Sequence, residues 1–210
     1  RLHDWRVRCG LPADVANRHT RRQLACLVQS VQNRAKVLAG RIANRMNLGG
    51  SNFVTDAACA SSLSALHSAI HELRAGDSDL VLAGGVDTLN DILMYMCFSK
   101  TPALSPTEDC RPFSDKADGT MLGEGIGILA LRRLKDAERD GNRIHAVIKG
   151  IGSGSDGRAT AIYAPLPEGQ ARALKRAYKQ AGYDPRTVEL VEAHGTGTIL
   201  GDPIEVEGLR

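Results

Sequence analysis

Cys59 and His194 are the two residues whose type and surroundings point most clearly to chemistry. Cys59 lies in SNFVTDAACASSL (51–63), where a short apolar strand is predicted to run into a helix. A thiol at a helix N-terminus lies at the positive end of the helix dipole, which favours the nucleophilic thiolate. Small neighbours permit a sharp turn and leave room for a substrate: Ala57, Ala58, Ala60, Ser61 and Ser62. A buried structural cysteine is the alternative interpretation of this segment.

His194 begins the loop His-Gly-Thr-Gly-Thr after a short buried strand predicted over 188–191. Its glycines let the backbone approach a ligand, and the hydroxyls of Thr196 and Thr198 can hydrogen-bond one. A lone histidine is more often a core residue, but this position at a strand end favours catalysis. A cysteine at one strand end and a histidine at another are the parts of an activated thiol and its proton-handling partner.

Apolar periodicity predicts an α/β domain with largely buried sheets that positions these residues. Helices are predicted over 24–46, 63–75, 167–181 and a short charged stretch closed by Gly141. Strands are predicted over 53–54, 80–83, 126–131, 144–151 and 188–191, with an irregular stretch over 99–123. A last helix is predicted to start with Asp202 as N-cap, Pro203 at its first position and Glu205 completing a capping box.

The two motifs together resemble the active site of one family. DAACASS (56–62) and EAHGTGT (192–198) resemble the active-site motifs of the β-ketoacyl synthases, the condensing domains of polyketide and fatty acid synthases. The block CRPFSDKADGTMLGEGIG (110–127) resembles the segment that lies between them in that family. The resemblance extends from about Leu38 to Arg210, with the motifs in the expected order.

The resemblance implies an incomplete thiolase-like fold, layered αβαβα, in which two related halves pack together and two chains form a homodimer. Residues 1–210 then form a single partial β-ketoacyl synthase domain, truncated at both ends, with the N-terminal half and the start of the C-terminal half. The family's second catalytic histidine, its lysine and its gating loop are expected beyond Arg210. The isolated 210 residues are therefore expected to be inactive.

The resemblance also implies a mechanism. Cys59 accepts an acyl chain from an acyl carrier protein, and a malonyl-carrier protein then binds with its phosphopantetheine arm near Thr196 and Thr198. His194 stabilises the enolate formed by decarboxylation, as a neutral hydrogen-bond donor, and the enolate attacks the Cys59 thioester. Glu205 matches a position that supports the family's lysine. The domain itself is expected to bind no cofactor and no metal, because the 4′-phosphopantetheine is carried by the partner.

Departures from the commoner motif favour one subgroup. Ala57 and Ala60 replace the usual Thr and Ser, and together with MYMCFSKTPALSP (94–106) they resemble iterative type I synthases of the enediyne and polyunsaturated fatty acid kind. Two other functions remain as alternatives. One is a non-catalytic partner of the chain-length-factor kind. Proteins of that kind lack the nucleophile, so the presence of Cys59 disfavours this alternative. The other is a thiolase-type acyltransferase, which would lack the HGTGT loop (194–198) that this chain contains.

Charge and cysteine content narrow the classes of partner. Residues 1–50 carry ten Lys/Arg and two Asp/Glu, whereas residues 51–210 carry seventeen and twenty-two. This basic segment, with only Trp5 as an aromatic, matches no nucleic-acid motif; a solvated face or the docking of an acidic carrier protein is favoured. Five cysteines without CxxC spacing indicate reduced thiols and a cytoplasmic location. The sequence shows no pattern of a secretory leader and no apolar run long enough to predict a membrane span.

Three other segments are weaker candidates. The glycine-rich GIGSGSDG (150–157) is either a phosphate cradle or a bend after a strand, and the missing lysine favours the bend. His67 and His71 have the i, i+4 spacing of a metal pair, but no third ligand follows, so a structural role is favoured. Lys100 and Asp118 are polar residues without an independent argument for function.

Overall fold

The computed structural model describes residues 37–88, 90–101, 103–158 and 164–210, together with the backbone of residues 24–29. Most of the basic N-terminal segment lies outside these residues. In chain order the elements are β1 Leu24–Gln29, α1 Leu38–Met46, β2 Asn52–Thr55, α2 Ser61–Ala75, β3 Leu80–Asp87, α3 Ile92–Lys100, β4 Gly125–Leu131, α4 Leu134–Arg139, α5 Pro167–Ala181 and α6 Gly201–Leu209. Two short 3-10 turns, Ala58–Ala60 and Pro185–Thr187, complete the set.

The chain divides into two compact units. The first contains the described residues up to 88 and residues 124–147; the second contains 90–123 and 148–210. The four strands found among the described residues lie in the first unit and form one mixed sheet in the order β2-β1-β3-β4. β1 pairs in parallel with β2 and β3, and β4 runs antiparallel to β3.

Helices cover both faces of this sheet. On one face, Ala65, Ala69 and Leu73 of α2 pack against Val81 and Ala83 of β3. On the other face, the α1 residue Ala39 packs with Leu80 and Leu82. Successive β3 residues thus serve opposite faces, which is why this strand reads as a continuous apolar run and is buried on both sides. The expectation of a buried sheet holds for β3, whereas Ile126 and Leu129 of the edge strand β4 are exposed.

Several predicted elements are confirmed. Helix α2 ends at Gly76, which adopts the left-handed conformation with φ 84°. Helix α5 spans the predicted residues and ends in the same way at Gly182, where φ is 74°. Glycine adopts this conformation without the steric penalty of a Cβ atom, so it stops a helix cleanly. β4 and the short helix α4 before Gly141 are also found as expected.

Other predicted elements are wrong. The helix predicted over 24–46 is a strand at Leu24–Gln29 and a helix only from Leu38; residues 30–36 lie outside the described residues. The strands predicted over 144–151 and 188–191 have no sheet partner among the described residues, and Leu190 is 82% exposed rather than buried. Apolar patterning indicates an extended segment, but a ladder also needs a neighbouring strand that local sequence does not specify.

In the second unit, the glycine-rich segment after 148 runs along α5. A Cβ atom on Gly150 or Gly152 would collide with backbone atoms of Ala177 and Ala173, respectively. Two extended residues advance about as far as four helical residues, so alternate glycines meet successive turns of the helix. The glycines therefore serve close packing between this segment and α5.

Arg133 joins the end of α2 to the start of α4 within the first unit. Its guanidinium donates to the carbonyls of Leu73 and Ser78, at 2.8 and 2.9 Å, and to the carboxylates of Asp79 and Asp136, at 2.5 Å each. The hydrogen bond from Arg133 is the main cause of a lowered pKa at Asp136. The stabilisation from this pair is therefore present above the ordinary aspartate pKa and is lost as the pH falls below it.

Replacing Arg133 with lysine is expected to lower the free energy of unfolding by about 1–3 kcal/mol, because an ammonium group cannot serve both carbonyls and both carboxylates. Urea unfolding followed by circular dichroism measures the change. Arg186→Lys is the matched control, since the Arg186–Asp184 pair lies on the surface and should contribute little. An unchanged unfolding midpoint for the Arg133 variant would contradict this assignment.

Candidate active site

Cys59 lies in a tight turn between β2 and α2, called here the elbow (residues 56–61). The thiol is exposed, and the 3-10 turn that contains it continues directly into α2. No side chain caps the N-terminus of α2. The first amide groups of a helix lack intrahelical partners, so this end of α2 is a favourable place for negative charge. The structure confirms the strand-to-helix turn and excludes the buried structural cysteine.

Two side chains hold the elbow in shape through hydrogen bonds that the sequence interpretation did not predict. Ala58 has φ 50°, a left-handed conformation that costs a residue with a Cβ atom about 1–2 kcal/mol. The Asp56 carboxylate accepts the Ala58 N–H at 2.9 Å, while the fully buried Ser61 hydroxyl accepts the Ala57 N–H and donates to the Ala58 carbonyl. These bonds stabilise the strained backbone that presents Cys59. An aspartate two residues before a turn is a local signal that was available in the sequence.

Helix α6 binds the loop that contains His194 through the Glu205 side chain. One oxygen of the Glu205 carboxylate accepts the His194 N–H at 2.6 Å, and the other accepts the Gly195 N–H at 2.8 Å. Gly195 and Gly197 have φ of 53° and 71°, so both use the left-handed conformation that glycine permits. Glu205 therefore orients the backbone of His194 and leaves the exposed imidazole side chain out of the contact.

The predicted capping box at the start of α6 is wrong. The helix begins at Gly201, and its N-cap residue is Leu200, whose side chain makes no cap hydrogen bond. Asp202 and Glu205 instead accept amide groups of the preceding loop. Sequence spacing alone cannot distinguish a carboxylate that caps its own helix from one that binds a neighbouring segment.

Thr196 and Thr198 lie side by side in the same loop. Their hydroxyl oxygens are 2.9 Å apart, and the Thr198 hydroxyl also accepts the Gly201 N–H at 3.0 Å. The contact between the two hydroxyls uses one of their two hydrogens. Both side chains are half-buried, so a polar ligand at this surface would meet a hydroxyl that is already oriented.

The 110–119 segment, which belongs to the third sequence block, packs against the histidine loop. Gly119 donates its N–H to the Gly197 carbonyl at 2.9 Å, and the Cys110 thiol lies 3.7 Å from the Thr196 carbonyl oxygen. A Cβ atom on Gly197 would be 2.9 Å from the Gly119 oxygen. Gly197 is therefore required for close packing as well as for its backbone conformation.

Asp118 is the centre of a hydrogen-bond network that supports this segment. Its carboxylate accepts bonds from Ser105, Thr107 and Arg111 at 2.7, 2.6 and 2.9 Å. The bonds from Thr107 and Ser105 are the main causes of a lowered pKa at Asp118. Asp118 precedes Gly119, so the network acts next to the residue that contacts the histidine loop. Lys100 is exposed in the last turn of α3.

The remaining candidate segments make contacts with neighbouring residues of the chain. The Asp156 carboxylate of the glycine-rich stretch accepts the Leu166 N–H at the start of α5 and lies against Gly169, so a carboxylate already occupies the place of a phosphate. The rings of His67 and His71 meet edge to face with centroids 4.6 Å apart. Among the described residues no three side chains form a metal-binding group.

The structure brings four of the five predicted site residues together in the second unit: His194, Thr196, Thr198 and Glu205. Cys59 belongs to the first unit. The meeting of its thiol with the imidazole stays a prediction. No helix in the described part of the chain is both long and apolar enough to cross a bilayer.

Comparisons with known proteins identify the family. Residues 11–137 match the β-ketoacyl synthase N-terminal domain family, and residues 145–210 match the β-ketoacyl synthase C-terminal domain family. The chain is 53% identical over 174 residues to a polyunsaturated fatty acid synthase from Thraustochytrium sp., a match of 83% of this chain and 6% of that protein. It is 47% identical over 170 residues to polyketide synthase PksN from Bacillus subtilis, a match of 81% of this chain and 3% of that protein.

Solved structures agree with these matches. The ketosynthase from module 6 of the bacillaene synthase of Bacillus subtilis is similar with a TM-score of 0.89 and 35% identity, over 96% of this chain and 37% of that one. An oxazolomycin ketosynthase domain from a Streptomyces strain has a TM-score of 0.85 and 31% identity, over 89% of this chain and 36% of that one. The chain thus spans just over a third of these ketosynthases and has their thiolase-like fold. It belongs to the β-ketoacyl synthase family.

Proposed function

We propose that the chain supplies the nucleophile and one catalytic histidine of a β-ketoacyl-carrier-protein synthase. The observation that carries this proposal is the exposed Cys59 thiol, presented by a strained elbow at the uncapped start of α2. A thiol in this place is accessible to a thioester, and the neighbouring amide groups can donate hydrogen bonds to a tetrahedral oxyanion. The placement of the histidine loop on α6 supports the second half of the reaction.

The first stage is acyl transfer. The Cys59 thiolate attacks the carbonyl carbon of an acyl thioester on a carrier protein and forms a new carbon–sulfur bond. The tetrahedral intermediate collapses as the bond to the carrier sulfur breaks, and the carrier thiolate leaves and takes up a proton. The chain then holds the acyl group as a thioester on Cys59.

The second stage is decarboxylative condensation. A malonyl thioester loses carbon dioxide, and the electron pair of the broken carbon–carbon bond forms an enolate on the thioester. The His194 imidazole donates a hydrogen bond to the enolate oxygen. The enolate carbon attacks the Cys59 thioester, the Cys59 thiolate leaves, and the product on the carrier is a β-ketoacyl chain longer by two carbons. A second histidine and a lysine, outside these 210 residues, complete the proposed site.

Thr196 and Thr198 are proposed to bind the phosphopantetheine arm, because their adjacent half-buried hydroxyls can hydrogen-bond its amides. The partners of the chain are then an acyl carrier protein with acyl and malonyl groups and a second copy of the same domain in a cytoplasmic homodimer. The single partial condensing domain over 1–210 is part of this proposal. The 53% identity to a polyunsaturated fatty acid synthase supports the proposed likeness to synthases of that kind.

The test uses a full-length condensing domain that contains these residues, incubated with acetyl- and malonyl-loaded carrier protein. Mass spectrometry is expected to find an acetyl group on the Cys59 peptide and an acetoacetyl group on the carrier, with release of carbon dioxide. Malonyl decarboxylation and acylation without a β-ketoacyl product would contradict condensation. A product formed from two acetyl groups would indicate a thiolase, and no acylation at Cys59 would indicate a non-catalytic partner.

A further inference from the structure

Asp202 is a buried carboxylate that the catalytic proposal does not use. The residue is 4% exposed and lies in the first turn of α6. One of its oxygens accepts the Gly197 N–H at 3.0 Å, and the other accepts the Phe113 N–H at 2.7 Å. Phe113 is 89 residues earlier in the chain, so this one side chain joins two segments of the second unit to α6.

Both amides belong to residues with unusual backbone conformations. Gly197 has φ 71°, and Phe113 has φ 60°, although phenylalanine has a Cβ atom that disfavours this region. Such strain persists only where surrounding contacts determine the conformation. Hydrogen bonds from a backbone amide to a carboxylate are charge-assisted and stronger than those between neutral groups, so Asp202 provides such a contact at both positions.

Phe113 links this contact to the histidine. A Cβ atom on Gly195 would lie 3.2 Å from the Phe113 ring and 3.3 Å from Pro112, so the ring packs closely on the peptide that follows His194. Glu205, one turn later on α6, binds the amides of His194 and Gly195 from the same helix. Three supports therefore converge on this loop: two carboxylates of α6 and the ring of Phe113.

We infer that Asp202 is a positioning residue for His194, which holds Gly197 and Phe113 so that the histidine loop keeps one shape. The inference rests on the proposed condensation, in which His194 must meet a developing enolate. A displacement of about 1 Å from the reactive geometry can cost about 10²-fold in rate. Acyl transfer to Cys59 does not use the His194 donor in the proposed mechanism and should be insensitive to this displacement.

The experiment compares Asp202→Asn with Glu207→Gln in the full-length condensing domain. Asparagine keeps the size of the side chain but retains a single carbonyl acceptor for two amides. Glu207 is an exposed carboxylate on the same helix, and its replacement removes the same charge, so it is the matched control. Acylation of Cys59 and condensation are measured separately by mass spectrometry, and hydrogen exchange is measured for residues 113 and 194–198.

For Asp202→Asn we expect acylation near the wild-type rate, condensation lower by up to about 10²-fold, and faster exchange at Phe113 and Gly197. Glu207→Gln should match the wild type in all three. An equal loss of both steps, or unchanged condensation, would overturn the positioning role. Failure of the wild-type domain to condense would instead contradict the proposed function. In that case hydrogen exchange still tests the inference, because unchanged exchange at Phe113 and Gly197 in Asp202→Asn would show that Asp202 does not hold these two amides.

Discussion

Cys59→Ala is expected to abolish both acyl loading and chain extension, because the variant has no sulfur to form the thioester through which every later step passes. The elbow should survive the substitution, since its hydrogen bonds come from Asp56, Ser61 and backbone groups rather than from the thiol. After incubation with acyl-carrier protein, mass spectrometry measures how much of the peptide that contains residue 59 is acylated. The yield of β-ketoacyl product measures chain extension.

Cys97→Ala is the matched control for this experiment. Cys97 is also exposed and free, but it lies in α3, away from the elbow in sequence. Its replacement should leave loading and extension unchanged. If the Cys59 variant still acquires an acyl group and extends it, another nucleophile performs the reaction, and the proposed mechanism is wrong.

His194→Ala is expected to leave acyl loading nearly intact and to slow condensation by about 10²–10³, which corresponds to about 2.7–4 kcal/mol in the barrier. The loss follows from removal of one donor to the enolate oxygen. The loop should keep its shape, because Glu205 binds the backbone amides of residues 194 and 195 and makes no bond to the imidazole that the substitution removes.

Separate assays of loading and condensation distinguish this result from unfolding. His145→Ala removes an exposed histidine elsewhere in the chain and should change neither step. An equal loss of both steps in the His194 variant would count against its role in the second half-reaction. Full condensation by that variant would remove the histidine from the mechanism.

Local patterns predicted helices α2 and α5 well, but they did not predict α3 at Ile92–Lys100. The apolar spacing and terminal glycines of α2 and α5 specify where each helix runs and where it stops, since a helix closes its hydrogen bonds within a few residues. The same reasoning misassigned residues 24–29, because an apolar segment of that length suits either a helix or a central strand. It also predicted two strands that have no sheet partner among the described residues.

The sequence by itself predicted which residues carry the proposed chemistry: a cysteine before a helix and a histidine before a glycine–threonine loop, in motifs that resemble one family. Only the tertiary structure decided which groups the carboxylates of α6 bind. Asp202 and Glu205 have the spacing of a helix cap, yet both accept amides of the histidine loop, and Asp202 also accepts the amide of Phe113, 89 residues earlier in the chain. A contact over that distance depends on how the chain folds back, and no local pattern encodes it.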